Sequence, residues 1–149
     1  MRKYVSLILA VLLFAMPVTV SAAEEAQEIE YLADGSYFLT TITAQGARAN
    51  GSNTVSKTQH YYNANNELQW MITVTATFSY NGTSATCTYV TGTTSIVNTN
   101  SWYAISKTPS SSGNTATYTV TFEHKVLGVT VSKPTHSVSI SCDGNGNFS

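Results

Sequence analysis

The sequence predicts an all-β fold, an antiparallel two-layer β-sandwich of about seven strands. Residues 70–80 (WMITVTATFSY) alternate apolar and mostly hydroxyl side chains with a period of two, which is typical of a half-buried strand. Turn-forming residues separate several such segments, and beyond position 34 the chain is rich in Thr, Ser, Val and Tyr. These features favour strands with one buried and one solvated face. An open barrel is the alternative architecture.

The first 23 residues have the pattern of a secretory signal peptide. Arg2 and Lys3 precede an apolar run that ends in Ser21, Ala22 and Ala23. The run is short for a spanning helix, so we expect cleavage after Ala22 or Ala23 and no integral membrane segment afterwards. The expected location of the mature chain is secreted, outside the cell.

The remaining chain is expected to hold one domain. Residues 24–33 are acidic and predict a flexible lead-in or a short helix, and residues 34–149 predict the sandwich. Apart from the hairpin discussed next, the predicted strands are 35–43, 54–63, 101–108, 114–126 and 129–142.

An Asn-Gly pair at positions 81–82 predicts a tight two-residue hairpin turn after residues 70–80. Such a turn would place Phe78 opposite Ala85 and Ala76 opposite Cys87. The other face of this hairpin would then carry a ladder of serine and threonine hydroxyls.

The final strand changes its buried side. Its apolar positions are odd at Val129 and Val131 but even at Val138 and Ile140. Pro134 lies between the two sets and cannot donate to a β-ladder, so we expect a bulge or a break at 133–136. The predicted core comprises Trp70, Ile72, Val74, Phe78, Tyr118, Val120, Phe122, Val138 and Ile140.

Charge and motif content argue against several functions. The chain has seven Lys and Arg residues, too few for a nucleic-acid footprint. His60, His124 and His136 fall on separate segments without metal-ligand spacing, so no metal or other cofactor is expected. Beyond the acidic lead-in the carboxylates are isolated, and no nucleophile-elbow motif occurs. We therefore expect a protein that is not an enzyme.

Cys87 and Cys142 both follow the predicted leader. In an oxidising compartment such a pair favours a disulfide. Closing a loop of this size would contribute about 4 kcal/mol on the chain-entropy estimate. The sequence therefore predicts a bond between these two residues.

Several motifs along the chain carry a resemblance. They are DGSY at 34–37, YYN at 61–63, LQW at 68–70, FSYNG at 78–82, SGN at 112–114, LG at 127–128 and GNFS at 146–149, together with Cys87 and Cys142. With these motifs the chain resembles a group of small secreted, functionally uncharacterised all-β proteins of Gram-positive gut bacteria. The resemblance implies export and an all-β fold and transfers no catalytic residue. A weaker resemblance, to immunoglobulin-like sandwiches, depends on the order Cys87, Trp102, Cys142.

Two aromatic pairs suggest a binding function. Tyr61 and Tyr62 are adjacent on one predicted strand, and Trp102 and Tyr103 on another, so one member of each pair should face outward. An exposed ring can stack on a sugar while nearby Asn, Ser and Thr groups bond its hydroxyls. We expect a non-catalytic extracellular or envelope-associated module for a glycan or another envelope component. The alternatives are a pore-forming or antimicrobial protein and, third, a secreted hydrolase.

Overall fold

A computed structural model describes residues 24–44 and 51–149, and within these ranges the regular structure is entirely β. The predicted signal peptide lies outside the described residues. The strands are β1 (Glu24–Tyr31), β2 (Tyr37–Ala44), β3 (Gly51–Tyr62), β4 (Leu68–Tyr80), β5 (Ala85–Ile96), β6 (Trp102–Ser112), β7 (Thr115–Val126), β8 (Val129–Ser132) and β9 (Thr135–Ser141).

The strands form two antiparallel sheets, which confirms the predicted sandwich, although the described residues contain nine strands where about seven were predicted. The first sheet has the order β1-β2-β3-β4-β5. In the second sheet β7 pairs with β6 on one side and with both β8 and β9 on the other. Within each sheet, strands that follow one another along the chain mostly pair with each other. The immunoglobulin fold instead uses Greek-key connections, so that weaker resemblance does not extend to the strand order.

The core lies between the sheets and follows the period of two. The even positions of β4 from Trp70 to Phe78 are fully buried, as are Ala116, Val120 and Phe122 on β7. Trp70 stacks on Phe122 across the interface, with ring centroids 4.4 Å apart. All nine residues of the predicted core are buried.

The β4–β5 hairpin is present, but its predicted register is wrong. Phe78 lies opposite Cys87 and not Ala85. The cause is a four-residue loop, 81–84, in place of the two-residue turn. The Asn81 side-chain oxygen accepts hydrogen bonds from the backbone N–H groups two and three positions further on, at 3.1 and 2.9 Å, and these bonds stabilise the longer loop.

The outer face of the β4–β5 hairpin carries opposed serine and threonine residues, as predicted, but in other pairs: Ser79 lies opposite Thr86, Thr75 opposite Thr91 and Thr73 opposite Thr93. Hydroxyl ladders joined by hydrogen bonds occur on the outer faces of both sheets. In the first sheet they join β3 to β4 at 2.8 Å through the pairs Thr54–Thr77, Ser56–Thr75 and Thr58–Thr73. In the second sheet they join β7 to β9 at 2.8–2.9 Å through the pairs Thr115–Ser141, Thr117–Ser139, Thr119–Ser137 and Thr121–Thr135. The hydroxyl groups bond one another and remain in contact with water.

Most of the acidic lead-in is a strand, and not the flexible segment or short helix that its composition predicts. β1 pairs with β2 over its whole length, from Glu24 opposite Ala44 to Tyr31 opposite Tyr37. The ladder of backbone hydrogen bonds, which composition alone does not reveal, stabilises this segment as an edge strand of the sheet.

The break predicted near Pro134 is confirmed. β8 ends at Ser132 and β9 begins at Thr135. The Pro134 carbonyl still accepts a hydrogen bond from the Phe122 N–H at 2.9 Å, so the ladder beside β7 continues through the break. A register shift opposite β8 places Val129 opposite Val126 and Val138 opposite Tyr118, so both valines lie on the same face of the sheet. Val138 is buried there, whereas Val129, beside the end of β7, is exposed.

Both cysteines are free thiols in this structure, so the predicted Cys87–Cys142 disulfide is not formed. Their backbone N–H groups bond the two adjacent carbonyls of the β6–β7 turn, at 2.8 and 3.0 Å. The thiols, however, donate to different carbonyls, that of Cys87 to Tyr89 and that of Cys142 to Asp143, each at 3.3 Å. Burial, followed by the nearby Asp143 charge, raises the pKa of the Cys142 thiol.

Candidate functional site

Three tyrosines form a row across the outer face of the first sheet. Tyr31 ends β1, Tyr37 begins β2 and Tyr62 ends β3, and the register places each ring beside the next. The centroids of Tyr31 and Tyr37 are 5.4 Å apart with a 46° tilt. Those of Tyr37 and Tyr62 are 4.8 Å apart with planes within 8°. We call these three residues the tyrosine row.

Strand alternation directs the row outward. Phe38, next to Tyr37, is buried, and Tyr61, next to Tyr62, packs against Trp70 with centroids 5.2 Å apart. Because neighbouring residues on a strand point to opposite faces, Tyr37 and Tyr62 lie on the solvent side. Tyr31, on the edge strand, is 72% exposed and has the most accessible ring of the three.

The β1–β2 turn sets the register of the first two rings. The Leu32 N–H donates to the Ser36 carbonyl at 2.8 Å, and Gly35 has a φ of 83°, which glycine adopts readily. The Asp34 carboxylate accepts hydrogen bonds from the Ser36 hydroxyl and backbone N–H. These bonds hold the pKa of Asp34 below its ordinary value, so the turn keeps an ionised acceptor at neutral pH.

Polar groups extend from the row across the same face. His60 lies beside Tyr62, with ring centroids 6.5 Å apart, and its Nδ1 lies 3.3 Å from the Leu39 carbonyl oxygen. The bonded hydroxyls of Thr58 and Thr73 lie next along these strands. A ligand on this face would meet an open aromatic ring, phenolic hydroxyls and a hydroxyl array, which together suit a carbohydrate better than a charged ligand.

The four aromatics predicted from the sequence do not form one site. Tyr61 and Trp102 point inward and contact each other, with centroids 5.7 Å apart, and Trp102 is buried. Tyr62 belongs to the tyrosine row. Tyr103 faces outward on the second sheet, where the Lys125 ammonium lies 4.7 Å from its ring centroid. The prediction that one member of each pair faces out is confirmed, while Tyr61 and Trp102 are core residues.

The sequence reasoning missed Tyr31 and Tyr37. The signal is the stretch YLADGSY at 31–37, in which two tyrosines flank an Asp-Gly turn and would face each other across a hairpin. The two tyrosines would face each other only if the acidic segment before the turn formed a strand.

The histidines lie in three different environments. His60 is on the outer face of the first sheet, and His124 stacks on Trp102 with centroids 4.4 Å apart. His136 packs against Trp70 at 4.9 Å between centroids, and burial lowers its pKa. Within the described ranges no group of three or more His, Cys, Asp or Glu residues could hold a metal ion.

A polar cleft of about 200 Å³ opens between the first sheet and the edge of β9. Its lining side chains from β1, β2 and β3 lie on the inner side of the first sheet, the side on which Phe38 is buried in the core. Its lining includes Glu28, Glu30, Lys57 and Ser137. Glu28 and Glu30 belong to the segment that the sequence predicts as an acidic lead-in.

The fold and this face define a two-sheet antiparallel β-sandwich with an exposed tyrosine row. A scan against protein-family models and searches of curated proteins and of solved structures find no match to the chain. Across the part of the chain that the structure describes, no helix is long and apolar enough to cross a membrane.

Proposed function

We propose that this chain is an exported, non-catalytic binding module that recognises a glycan of the cell envelope through the tyrosine row. The observation that carries the proposal is the alignment of Tyr31, Tyr37 and Tyr62 on one solvent-facing surface. Export is inferred from the signal-peptide pattern of residues 1–23.

The row provides two kinds of contact. The exposed ring of Tyr31 offers a face on which the apolar side of a sugar ring can stack. The phenolic groups of Tyr37 and Tyr62, which are stacked on each other, can donate and accept hydrogen bonds. Because stacking already orders the Tyr37 and Tyr62 side chains, these two lose little conformational entropy on binding.

The test is retention of the protein on insoluble cell-wall polysaccharide. We expect the parent to be retained and Tyr31→Ala to be released, since that residue has few contacts whose loss would unfold the domain. Tyr103→Ala is the matched control, because it removes a partly exposed tyrosine from the other sheet. The proposal is wrong if the parent is not retained, or if both variants lose the same amount of binding while remaining folded.

A further inference from the structure

Several exposed apolar side chains lie at one end of the sandwich, although others, such as Tyr89 and Ile29, lie along the strands. The tyrosine row, the 97–101 turn and the β7–β8 turn share this end, because Trp70 near the start of β4 contacts Trp102 at the start of β6, with centroids 6.2 Å apart. At the opposite end the described turns, 81–84, 113–114 and 143–147, contain only Asn, Gly, Thr, Ser and Asp. The apolar end exposes Tyr31 72%, Val97 52%, Val126 50%, Leu127 99% and Val129 66%.

The β7–β8 hairpin projects from the apolar end. β6 begins at Trp102, opposite His124, whereas β7 continues to Val126. Val126 lies directly opposite Val129, so two valines that are at least half exposed lie at the tip. Leu127 forms the turn between them together with a glycine.

Leu127 has a conformation that leucine rarely adopts. Its φ is 51°, in the left-handed region, and among the described residues the one other non-glycine with positive φ is Asn66, at 62°. Asparagine suits this region because its side chain bonds locally, whereas leucine gains nothing comparable. Since the Leu127 side chain is 99% exposed, packing within the domain does not explain its presence.

We propose that the tip of the β7–β8 hairpin, Val126, Leu127 and Val129, inserts into the interfacial region of a lipid bilayer. The tip is apolar, and two cations flank it along the chain. Lys125 precedes Val126, and Lys133 follows β8. Both bond the Glu123 carboxylate, at 3.2 and 3.7 Å, so the group carries one net positive charge.

This order matches the order of a bilayer, in which phosphates lie outside the acyl chains. A bilayer also suits a convex tip better than a protein pocket does, because lipids need no complementary shape. Insertion of the β7–β8 tip would be an activity separate from glycan recognition, because it would hold the domain against a lipid surface whatever ligand the tyrosine row binds.

A tryptophan reporter tests the insertion directly. In the full chain Val129→Trp places a ring at the tip, while the native Trp70 and Trp102 are buried. We expect phospholipids brominated on their acyl chains to quench this reporter. The matched control, Thr86→Trp, places the ring on an exposed strand position near the polar end and should not be quenched. Equal quenching of the two reporters, or none at either, would overturn the proposal.

Leu127→Asn separates lipid binding from folding. Asn suits the left-handed turn, so we expect an equal or higher melting temperature together with about tenfold weaker partitioning into vesicles of phosphatidylcholine and phosphatidylglycerol. Unchanged partitioning would overturn the proposal, and so would release of a trapped dye from the vesicles, which would indicate a pore and not surface attachment. Polysaccharide retention should be unaffected, so this test fails or succeeds independently of the tyrosine row.

Discussion

Tyr37 stacks on Tyr62 across the β2–β3 ladder, with ring centroids 4.8 Å apart and planes within 8°. Each ring therefore covers one face of the other, and the pair acts as a rigid ridge on the outer surface. Tyr31 adds a more exposed ring at the edge of the sheet. In the proposed function the three rings divide their roles, with Tyr37 and Tyr62 for structure and hydrogen bonding and Tyr31 for stacking on a ligand.

Tyr37→Leu should remove the stack while retaining apolar bulk. We expect the free energy of unfolding to fall by about 1 kcal/mol, the scale of an aromatic pair beyond its buried area. Urea denaturation measures this. Tyr89→Leu is the control, because Tyr89 is 59% exposed on the edge strand β5. A loss as large in the control would show that the stack contributes nothing of its own.

Gly92→Ala should destabilise the core. A Cβ at position 92 would lie 2.2 Å from carbon atoms of the Tyr118 ring, so the ring must move. We expect a loss of about 1–3 kcal/mol, the usual cost of overpacking. Thr93→Ala, at the exposed neighbouring position, should cost much less. If Gly92→Ala unfolds at the same urea concentration as the parent, Tyr118 does not pack over this strand as the structure shows.

His136 should make stability depend on pH. Burial lowers its pKa from an ordinary 6.5, so the unfolded chain takes up a proton before the folded chain does. Above about pH 6.5 the protonation of His136 therefore does not affect the free energy of unfolding, and below that value the free energy of unfolding decreases as the pH falls. We expect His136→Phe to flatten the change in unfolding free energy between about pH 7 and pH 5.

The control for this pH effect is Thr58→Val, on the outer face of the first sheet. It removes no titratable group and should leave the slope as it is in the parent. The carboxylates whose pKa is lowered by hydrogen bonds, such as Asp34 and Asp143, titrate at lower pH and do not interfere in this range. A parent whose stability is flat over the range would contradict the buried position of His136.

The two thiols should react at different rates. Cys142 is fully buried and its pKa is raised, which lowers the thiolate fraction, whereas Cys87 is partly exposed. Alkylation of the native protein followed by mass spectrometry should give one fast addition at Cys87 and a slow one at Cys142. Finding no addition even after unfolding would show that the residues are bonded, as the sequence alone suggested.

The core was predictable because burial acts on every second residue of a strand. Trp70, Val74 and Phe78 show this period plainly, and the structure buries all three. The hairpin register was not predictable from Asn-Gly alone, because the loop type depends on the bonds that the Asn81 side chain makes to the following backbone. The hydrogen bonds within this loop change how β4 pairs with β5, but they leave the alternation of buried and exposed residues along each strand unchanged. The period in the sequence therefore does not reveal the register.

The candidate site was predicted only in part. Tyr62 was identified because it alternates with a core residue, but Tyr31 and Tyr37 depend on pairing between two strands, one of which has an acidic, helix-permissive composition. Trp102 and Tyr61 were placed in the site although the core needed them, because large aromatics serve both roles and the sequence does not tell them apart.

Nuclear magnetic resonance of the tyrosine rings tests the central claim most directly. Soluble fragments of cell-wall polysaccharide would be titrated into protein with labelled tyrosines, and ring resonances would be assigned by single Tyr→Phe changes. The account predicts shifts at Tyr31, Tyr37 and Tyr62, with Tyr103 and Tyr89 unchanged. Shifts confined to the last two, or none at any fragment concentration, would contradict it.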